Sequence, residues 1–399
     1  MRILMVNKFL YRFGGCENYM LDLGEALKKA GHEVQYFGTF SEKNIVGNQY
    51  NLSIKSYDDK RIFNPFSLIY NSYAKSKLNK LIKLFKPDIV HMNNIYYHLT
   101  TSVIDACKQN NVPVVMTIHD FMPVCPNHML YRFDTKCICK DCMTTGSFKN
   151  CVNHKCIKGS WLKSYIGYKE SCYTHKAQKY DYISKMICPS NFMKDLLLEG
   201  GYKKEKVMFL RNYSSFSSEG TNVSKDDYCI YFGRISEEKG INLLLNSMPE
   251  KCNLVVAGTG PLDCQFKSLN KSNIRYVGFK TGQDLKDLIA GAKFSIYPSK
   301  WFENCPLSVA ESITLGTPAL VTREGGLLEL VDDGVNGIFF KNNDANDLKS
   351  KIEELYFNEP LLRDMHKNCL NYKKIPNLND YIRDLIKIYE ESINEKVSK

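Results

Sequence analysis

The chain has 399 residues, and 54 Lys and Arg against 43 Asp and Glu give it a formal net charge of +11. The length predicts two or three domains. A composition of 44% hydrophobic and 24% charged residues excludes a disordered, collagen-like or fibrous chain. No apolar run approaches the roughly 18 residues of a transmembrane helix, and residues 1–8 are too short an apolar core for a signal peptide. We therefore expect a cytoplasmic protein.

The positive charge has two readings of similar weight. It suits an anionic partner, such as a nucleotide diphosphate, an acidic membrane face or nucleic acid. It is equally typical of a protein from a lysine-rich proteome.

The first half alternates apolar strands with helices. A helix is predicted over residues 16–30, and Gly31 stands where a glycine would end it. The predicted strands are Arg2–Val6, His32–Phe37, Ile89–Met92 and Val112–Ile118. This order predicts a parallel sheet covered by helices.

The second half repeats the pattern. The predicted strands are Tyr228–Phe232, Leu254–Ala257, Arg275–Val277, Phe294–Tyr297, Ala319–Thr322 and Ile338–Phe340. The polar segment Ser214–Asp227 is the predicted linker, and Leu378–Val397 forms an amphipathic helix. We expect two Rossmann-like domains, residues 1–215 and 225–375, around a cleft where ligands bind beyond the carboxyl ends of the strands.

Neither glycine-rich loop is a dinucleotide fingerprint. The loop that contains Gly14 and Gly15 lacks the G-x-G-x-x-G spacing, and Gly258-Thr259-Gly260-Pro261 lacks the third glycine. The sequence therefore argues against an NAD-dependent dehydrogenase.

Two cations follow the first strand of the second domain. Arg234 and Lys239 lie five residues apart before a predicted helix, whose first N–H groups would join them in holding a diphosphate. The alternative is a pair of solvated surface cations.

Two glutamates flank the start of another helix. Glu303 lies in the preceding loop, Pro306 suits the first helical turn, and Glu311 lies about two turns further on. Carboxylates accept hydrogen bonds from sugar hydroxyls, and the N–H groups from Asn304 to Ser308 would face a phosphate. Alone, Glu311 would be interpreted as an exposed helical glutamate; the pair favours a binding site.

Glu303 and Glu311, with seven residues between them, match the E-x7-E signature of retaining GT-B glycosyltransferases, and the chain resembles glycosyltransferase family 4 over residues 2–340. The other matching motifs, in chain order, are Gly14-Gly15-x-Glu17, Gly31-His32-x-Val34, His119-Asp120, Arg234 with Lys239, Gly258-x-Gly260-Pro261, Val277-Gly278-Phe279 and Gly325-Gly326-x-x-Glu329.

The resemblance implies a GT-B fold, an α/β architecture of two Rossmann-like domains facing a cleft. The first domain would bind the acceptor, with helix 378–399 packed back on it, and the second would bind a UDP- or GDP-sugar donor. The donor-binding residues so implied are Gly15, Arg234, Lys239, Gly258, Gly260, Gly278, Phe279, Glu303, Asn304, Cys305, Pro306, Leu307, Ser308 and Glu311.

The implied catalytic residues are His119, Glu303, Arg234 and Lys239. The two cations and a helix N-terminus would neutralise the leaving diphosphate, so no catalytic metal is expected. His119 would bond the donor sugar or the acceptor; the alternative is a histidine buried at a strand end. The sequence departs from the family at Arg211–Ser214 and at Cys305, whose side chain is expected to pack.

Six of the 15 cysteines fall between Cys125 and Cys156. Cys139-x2-Cys142 and Cys151-x4-Cys156 have a spacing that could form a structural zinc site; reduced, unliganded cysteines are the alternative.

A basic amphipathic helix is predicted over residues 75–86, with aromatic residues Phe63, Phe66, Tyr70 and Tyr73 nearby. Its apolar stripe of Leu78, Leu81, Ile82 and Phe85 is expected to pack on the sheet, and its lysines could dock on an anionic membrane. Residues 161–182 are also basic and aromatic and have the same two interpretations.

We expect a retaining glycosyltransferase that extends a glycan or lipid-linked glycan for a bacterial surface polysaccharide, in contact with the inner face of the cytoplasmic membrane. The alternatives are a nucleotide-sugar 2-epimerase of the same fold and a non-catalytic binding scaffold. No compact basic and aromatic array supports nucleic acid as a partner.

Overall fold

The computed structural model describes residues 1–55, 65–218, 225–267, 269 and 271–397. The chain divides into two compact units: unit 1 comprises Met1–Arg211 with Leu378–Lys399, and unit 2 comprises Asn212–Asn377. The predicted first domain ended at residue 215, whereas unit 1 ends at Arg211. Residues 219–224 of the predicted linker, and Phe63, lie outside the described residues.

Unit 1 is built on a six-stranded parallel sheet in the order β2-β1-β3-β4-β7-β8, with a separate antiparallel pair, β5-β6. The strands are β1 (Arg2–Val6), β2 (Glu33–Phe37), β3 (Ile89–Met92), β4 (Val114–Thr117), β5 (Tyr131–Arg132), β6 (Cys137–Ile138), β7 (Lys185–Cys188) and β8 (Val207–Phe209). The residues of β3 and β4 are buried throughout, as expected when helices cover both faces of a parallel sheet.

The helices of unit 1 are α1 (Gly15–Lys29), α2 (Ser72–Phe85), α3 (Ser102–Gln109), α4 (Asp141–Thr144), α5 (Lys149–Asn153), α6 (Trp161–Lys176), α7 (Asn191–Glu199) and the C-terminal α15 (Leu378–Val397). Short 3-10 turns cover Pro65–Leu68 and Lys179–Tyr182.

Unit 2 has its own six-stranded parallel sheet in the order β11-β10-β9-β12-β13-β14. Its strands are β9 (Cys229–Phe232), β10 (Leu254–Ala257), β11 (Ile274–Gly278), β12 (Ser295–Tyr297), β13 (Ala319–Thr322) and β14 (Gly337–Phe340). Its helices are α8 (Ile241–Ser247), α9 (Cys264–Lys267), α10 (Gly282–Gly291), α11 (Leu307–Thr314), α12 (Leu327–Leu330), α13 (Ala345–Phe357) and α14 (Glu359–Leu370).

The prediction missed β7 and β8, which have four and three residues and are too short to show a periodic pattern. It extended β4 too far, because the N–H of Val112 bonds the Cys107 carbonyl of the preceding helix end. It also placed Pro306 inside a helix; with ψ at 119°, Pro306 is instead the residue before α11.

The last helix packs on unit 1 through buried polar contacts. The hydroxyl of Tyr381 lies 2.6 Å from that of Tyr19, and the hydroxyl of Tyr389 lies 2.6 Å from Nδ1 of His91. All four side chains are buried. These contacts tie α15 to α1 and to β3.

The predicted apolar stripe of α2 packs inward, since Leu78, Leu81, Ile82 and Phe85 are all buried. Among the residues that the structure describes, no helix has both the length and the apolarity needed to cross a bilayer.

Candidate active site

The loop after β9 brings Lys239 to the carboxyl end of the unit 2 sheet. Gly240, at a φ of 74°, lies so close to the exit of β12 that an added Cβ would sit 1.8 Å from the Pro298 carbonyl oxygen. The N–H of Lys300 also donates to the Glu238 carbonyl, at 2.9 Å. This close approach places the Lys239 side chain beside the loop that carries Glu303.

Glu303 is buried and accepts three hydrogen bonds on one carboxylate oxygen, Oε1. The donors are Nζ of Lys239 at 2.7 Å, the hydroxyl of Ser299 at 2.6 Å and Nε1 of Trp301 at 2.8 Å. Burial by itself raises the pKa of Glu303, but the charge of Lys239 and the three donors outweigh it and hold the pKa below its ordinary value. Within the described residues, Oε2 accepts no hydrogen bond.

A pocket joins this pair to Arg234 and to the start of α11. Pro306 and Ser308 line it together with the aromatic residues Tyr231, Phe232 and Tyr297. The N–H groups of Leu307 and Ser308 open α11 and have no carbonyl partner within the helix. The exposed guanidinium of Arg234 makes no hydrogen bond to the described part of the chain. The pocket therefore combines two cations, the backbone donor of Ser308 and one carboxylate.

The second glutamate of the motif lies on α11, where Glu311 is half-buried and outside the lining of the pocket. Cys305 packs into the hydrophobic core of unit 2, as expected for its side chain. The backbone of Gly326 packs directly against that of Asn304. An added Cβ on Gly326 would sit 1.6 Å from the Asn304 carbonyl oxygen. The loop of Glu303 is thus fixed by the Gly325-Gly326 turn.

The other glycines and Phe279 of unit 2, which were predicted to bind the sugar donor, lie at neighbouring strand ends and turns. The N–H of Gly258 donates to the Gly278 carbonyl at 2.8 Å, and Gly260 packs against Ile235. Phe279 follows β11 and is 67% exposed. These residues lie outside the lining of the Glu303 pocket.

Two predicted residues belong to unit 1. Gly15 is exposed at the first position of α1. His119 follows β4 and donates from Nε2 to Oδ1 of Asn93 at 2.8 Å, and its ring packs on Tyr19 at 4.8 Å. Burial lowers the pKa of His119 to about 3, so its ring is neutral at physiological pH.

The sequence analysis missed a charged cluster beside His119. Lys8 follows β1, and its Nζ lies 4.0 Å from the ring centroid of Tyr96 and within electrostatic range of Asp120 and Glu17. Burial raises the pKa of Asp120 to about 6, against the opposing effects of the Met122 N–H, the Tyr96 hydroxyl and Lys8. The sequence did contain one indication of this cluster: its polar residues come soon after buried parallel strands, where ligands bind in such sheets.

The Nδ2 atom of Asn93, next to this cluster, is buried and has no hydrogen-bond partner among the described residues. An unsatisfied buried donor is costly, and a bound polar group would satisfy it. The carboxyl edge of the unit 1 sheet is therefore chemically suited to a hydroxyl-bearing ligand.

The four cysteines predicted as zinc ligands, Cys139, Cys142, Cys151 and Cys156, all line one small cavity in unit 1. In the described ranges, no three His, Cys, Asp or Glu side chains are already arranged as metal ligands. The four cysteines are free thiols.

Comparison with known families identifies the chain. The profile of "Glycosyltransferase Family 4" matches residues 13–212, and that of "Glycosyl transferases group 1" matches residues 215–371. This chain belongs to glycosyltransferase family 4. The glycosyltransferase has the GT-B fold class predicted from its motifs, with one parallel-sheet α/β unit matching each profile.

Relatives of this glycosyltransferase span bacteria and archaea. An uncharacterised glycosyltransferase of Methanocaldococcus jannaschii is 23% identical, covering 98% of both chains. An uncharacterised 42.6 kDa protein in the cps region of Klebsiella pneumoniae is 24% identical, covering 83% of this chain and 87% of that protein. The N,N'-diacetylbacillosaminyl-diphospho-undecaprenol alpha-1,3-N-acetylgalactosaminyltransferase of Campylobacter jejuni is 25% identical over 43% of this chain and 46% of its own length.

Among solved structures, Anabaena HepE in complex with UDP-glucose matches with a TM-score of 0.67 and 15% identity. The match covers 98% of this chain and 100% of HepE, which supports the same fold along the whole chain.

Proposed function

We propose that this glycosyltransferase moves a sugar from a UDP- or GDP-sugar to a glycan or lipid-linked glycan, with retention of the anomeric configuration, in the synthesis of a bacterial surface polysaccharide. The observation that carries the proposal is the contact between Lys239 and Glu303 in the pocket that Arg234 and the start of α11 also line. One pocket thereby offers positive charge for a diphosphate and a carboxylate for sugar hydroxyls.

The diphosphate of the donor would bind between the cations and α11. Arg234 is exposed and unpaired within the described residues, so its guanidinium can bond phosphate oxygens without losing a partner. Ser308 lies at the beginning of α11, where the unpaired N–H groups and the helix dipole favour an anion. As the nucleoside diphosphate leaves, these groups stabilise its increasing negative charge.

The donor sugar would bond Glu303. Its Oε1 is saturated by three donors, whereas Oε2 has the capacity to accept from a sugar hydroxyl. Its lowered pKa keeps the side chain ionised, and an ionised carboxylate accepts the stronger hydrogen bond.

In the proposed retaining step, the bond between the anomeric carbon and the phosphate oxygen breaks while the acceptor oxygen bonds the same face of that carbon. The acceptor proton passes to an oxygen of the leaving phosphate, so no protein base is required. His119, neutral because of its lowered pKa, would position a hydroxyl by hydrogen bonding rather than by charge.

The acceptor would bind unit 1 at the edge where Lys8, Asn93 and Asp120 follow their strands. A lipid-linked acceptor is supported by the Campylobacter jejuni relative, whose name describes a diphospho-undecaprenol substrate. A surface polysaccharide is supported by the Klebsiella pneumoniae relative from a cps region.

Contact with an anionic membrane would bring the enzyme to such an acceptor. The N-terminal end of α6 supports it: Trp161 is 56% exposed and Leu162 is 62% exposed, with Lys163 between them and Tyr165. The buried side of α6 carries small residues instead, Ser164, Gly167, Ser171 and Thr174. The large apolar side chains of this helix end therefore face solvent, an arrangement that suits a lipid interface.

The test is calorimetric titration with UDP, GDP and their sugar conjugates, followed by transfer assays. We expect one base to bind, with Arg234→Ala weakening it roughly 10- to 100-fold, the value of a charged hydrogen bond. Arg363→Ala, which removes an exposed cation of α14, is the matched control and should bind like wild type.

Glu303→Gln separates binding from transfer. It keeps the size of the side chain but removes the charge, so turnover should fall about 100-fold while nucleotide affinity changes little. Wild-type turnover in this variant, or no binding of any nucleotide to the wild type, would contradict the donor site. Release of a free epimerised sugar without acceptor would establish the epimerase alternative instead.

A further inference from the structure

The segment between β5 and α5 is ordered without a hydrophobic core of its own. From residue 132 to residue 150, no side chain is buried, yet this stretch forms β6 and α4. Two-residue strands and a four-residue helix are not stable by themselves in water. Small segments that bury too little apolar surface are usually held by disulfides or by a structural metal.

Four cysteines lie at positions where a structural metal would hold this segment in place. Cys139 follows β6, Cys142 lies on α4, Cys151 on α5 and Cys156 just after α5. All four line the same cavity, whose volume of about 10 Å³ matches one water molecule or one ion. The thiol of Cys151 hydrogen-bonds the sulfur of Cys156, so these two already touch.

The cavity wall also carries Cys125 and His154, each bonded to a residue outside the four cysteines. The thiol of Cys125 donates to Oδ1 of Asn127 at 2.9 Å. His154 pairs through Nε2 with Asp141 at 3.0 Å. Cys139 also bonds Asp141, so existing partners do not select the ligands; the two paired motifs, Cys139-x2-Cys142 and Cys151-x4-Cys156, supply the four thiolates that a structural zinc ion requires.

We propose that this cysteine pocket binds one Zn²⁺ through Cys139, Cys142, Cys151 and Cys156, and that the ion fastens β5-β6 and α4 to α5. Because no three of these side chains yet surround a common point, binding draws the four sulfurs inward from the cavity wall and releases their protons to solvent. Arg132, which also lines the cavity, lies where it offsets the excess negative charge of a four-thiolate site.

The proposal does not depend on glycosyl transfer, and its test measures metal directly. Wild-type protein reconstituted with Zn²⁺ and passed over a desalting column should retain about one equivalent by elemental analysis. X-ray absorption at the zinc edge should show four sulfur ligands at about 2.3 Å.

Cys142→Ser should lower the retained zinc below about a tenth of an equivalent. Cys137→Ser is the matched control: Cys137 is exposed on β6 and outside the cavity lining, so this variant should bind zinc like wild type. Cys142→His distinguishes the loss of a ligand from misfolding of the variant. It should keep the ion and replace one sulfur by a nitrogen at about 2.0–2.1 Å.

Three results would each overturn the proposal. One is wild-type protein that retains no zinc. Another is four-sulfur coordination that survives in Cys142→His. The third is a Cys151–Cys156 disulfide in protein purified without reductant, detected by mass after alkylation of free thiols, in place of bound metal.

Discussion

Two carboxylates in this glycosyltransferase, the buried Glu303 and the partly exposed Asp120, have pKa values shifted in opposite directions. Burial alone would raise the pKa of Glu303, but the charge of Lys239 and three hydrogen-bond donors, Lys239 among them, hold it below its ordinary value. The pKa of Asp120 rises to about 6, because burial outweighs its bonds from Met122 and Tyr96. A cation at contact distance therefore keeps Glu303 ionised at pH values where Asp120 takes up a proton.

The pKa of Asp120 predicts a pH-dependent stability. Folding raises it from about 3.8 to about 6, so Asp120 contributes stability that is complete below pH 3.8 and is lost as the pH rises through 6. Asp120→Asn removes this dependence and keeps an acceptor for the Met122 N–H. The stability of the variant relative to wild type should rise between pH 4.5 and 7 by roughly 2 kcal/mol.

Thermal unfolding of both proteins at a series of pH values measures this difference. A gap between the two midpoints that stays constant from pH 4.5 to 7 would show that Asp120 is ionised throughout.

For individual residues, the sequence predicted Arg234, Lys239 and Glu303 because their spacings match a known signature. It did not predict Lys8, Asn93 or Asp120 as one cluster. Each is a single polar residue after a strand, and only the order of β1, β3 and β4 in the sheet makes them neighbours.

The elements of unit 2 position the site through contacts between loops. Glu303 stands in a loop without regular structure, and the Gly325-Gly326 turn holds that loop from the side. The N–H of Gly326 donates to the Glu303 carbonyl at 2.8 Å, and its missing side chain lets Asn304 approach. This support explains how an irregular loop keeps the carboxylate of Glu303 in place.

Gly326→Ala should displace the Glu303 loop, since the new Cβ would lie 1.6 Å from the Asn304 carbonyl oxygen, which is backbone and cannot rotate away. We expect kcat/KM to fall at least about tenfold, with both units still folded. Steady-state kinetics and circular dichroism measure the two effects.

Gly47→Ala is the control, as a Cβ on Gly47 meets nothing within 4 Å. Unchanged kinetics in Gly326→Ala would mean that the loop tolerates the displacement and that the turn does not position Glu303.

The whole molecule carries a net charge of +11, and both of its units expose some aromatic and apolar side chains. Phe66, Trp161 and Leu162 are exposed on unit 1, as are several lysines of α2 and α6. Trp161 stacks on Tyr165 at 5.2 Å, which orders the pair at the surface. A rigid aromatic pair beside lysines is typical of an interfacial membrane contact.

This distribution predicts binding to anionic vesicles. Wild-type protein should co-sediment with phosphatidylglycerol vesicles at low salt and separate from them at high salt. Replacing Trp161 and Leu162 together by alanine should weaken binding at least about tenfold, because two large apolar side chains no longer enter the interface.

Phe357→Ala, which removes a 59% exposed side chain from unit 2, should bind the vesicles like wild type. Equal binding by the Trp161 and Leu162 variant would exclude the end of α6 as the contact.

The sequence by itself determined the family and the two parallel-sheet domains, and it singled out Arg234, Lys239 and Glu303, which line one pocket, because strand and helix periodicity and motif spacing are local properties of the chain. It also determined that the stripe of α2 packs inward. Only the tertiary structure decided that Lys239 pairs with Glu303, that four cysteines share one cavity and which side chains join α15 to α1 and β3. These depend on contacts between residues far apart in the chain, such as Tyr19 with Tyr381, and no local pattern encodes such contacts.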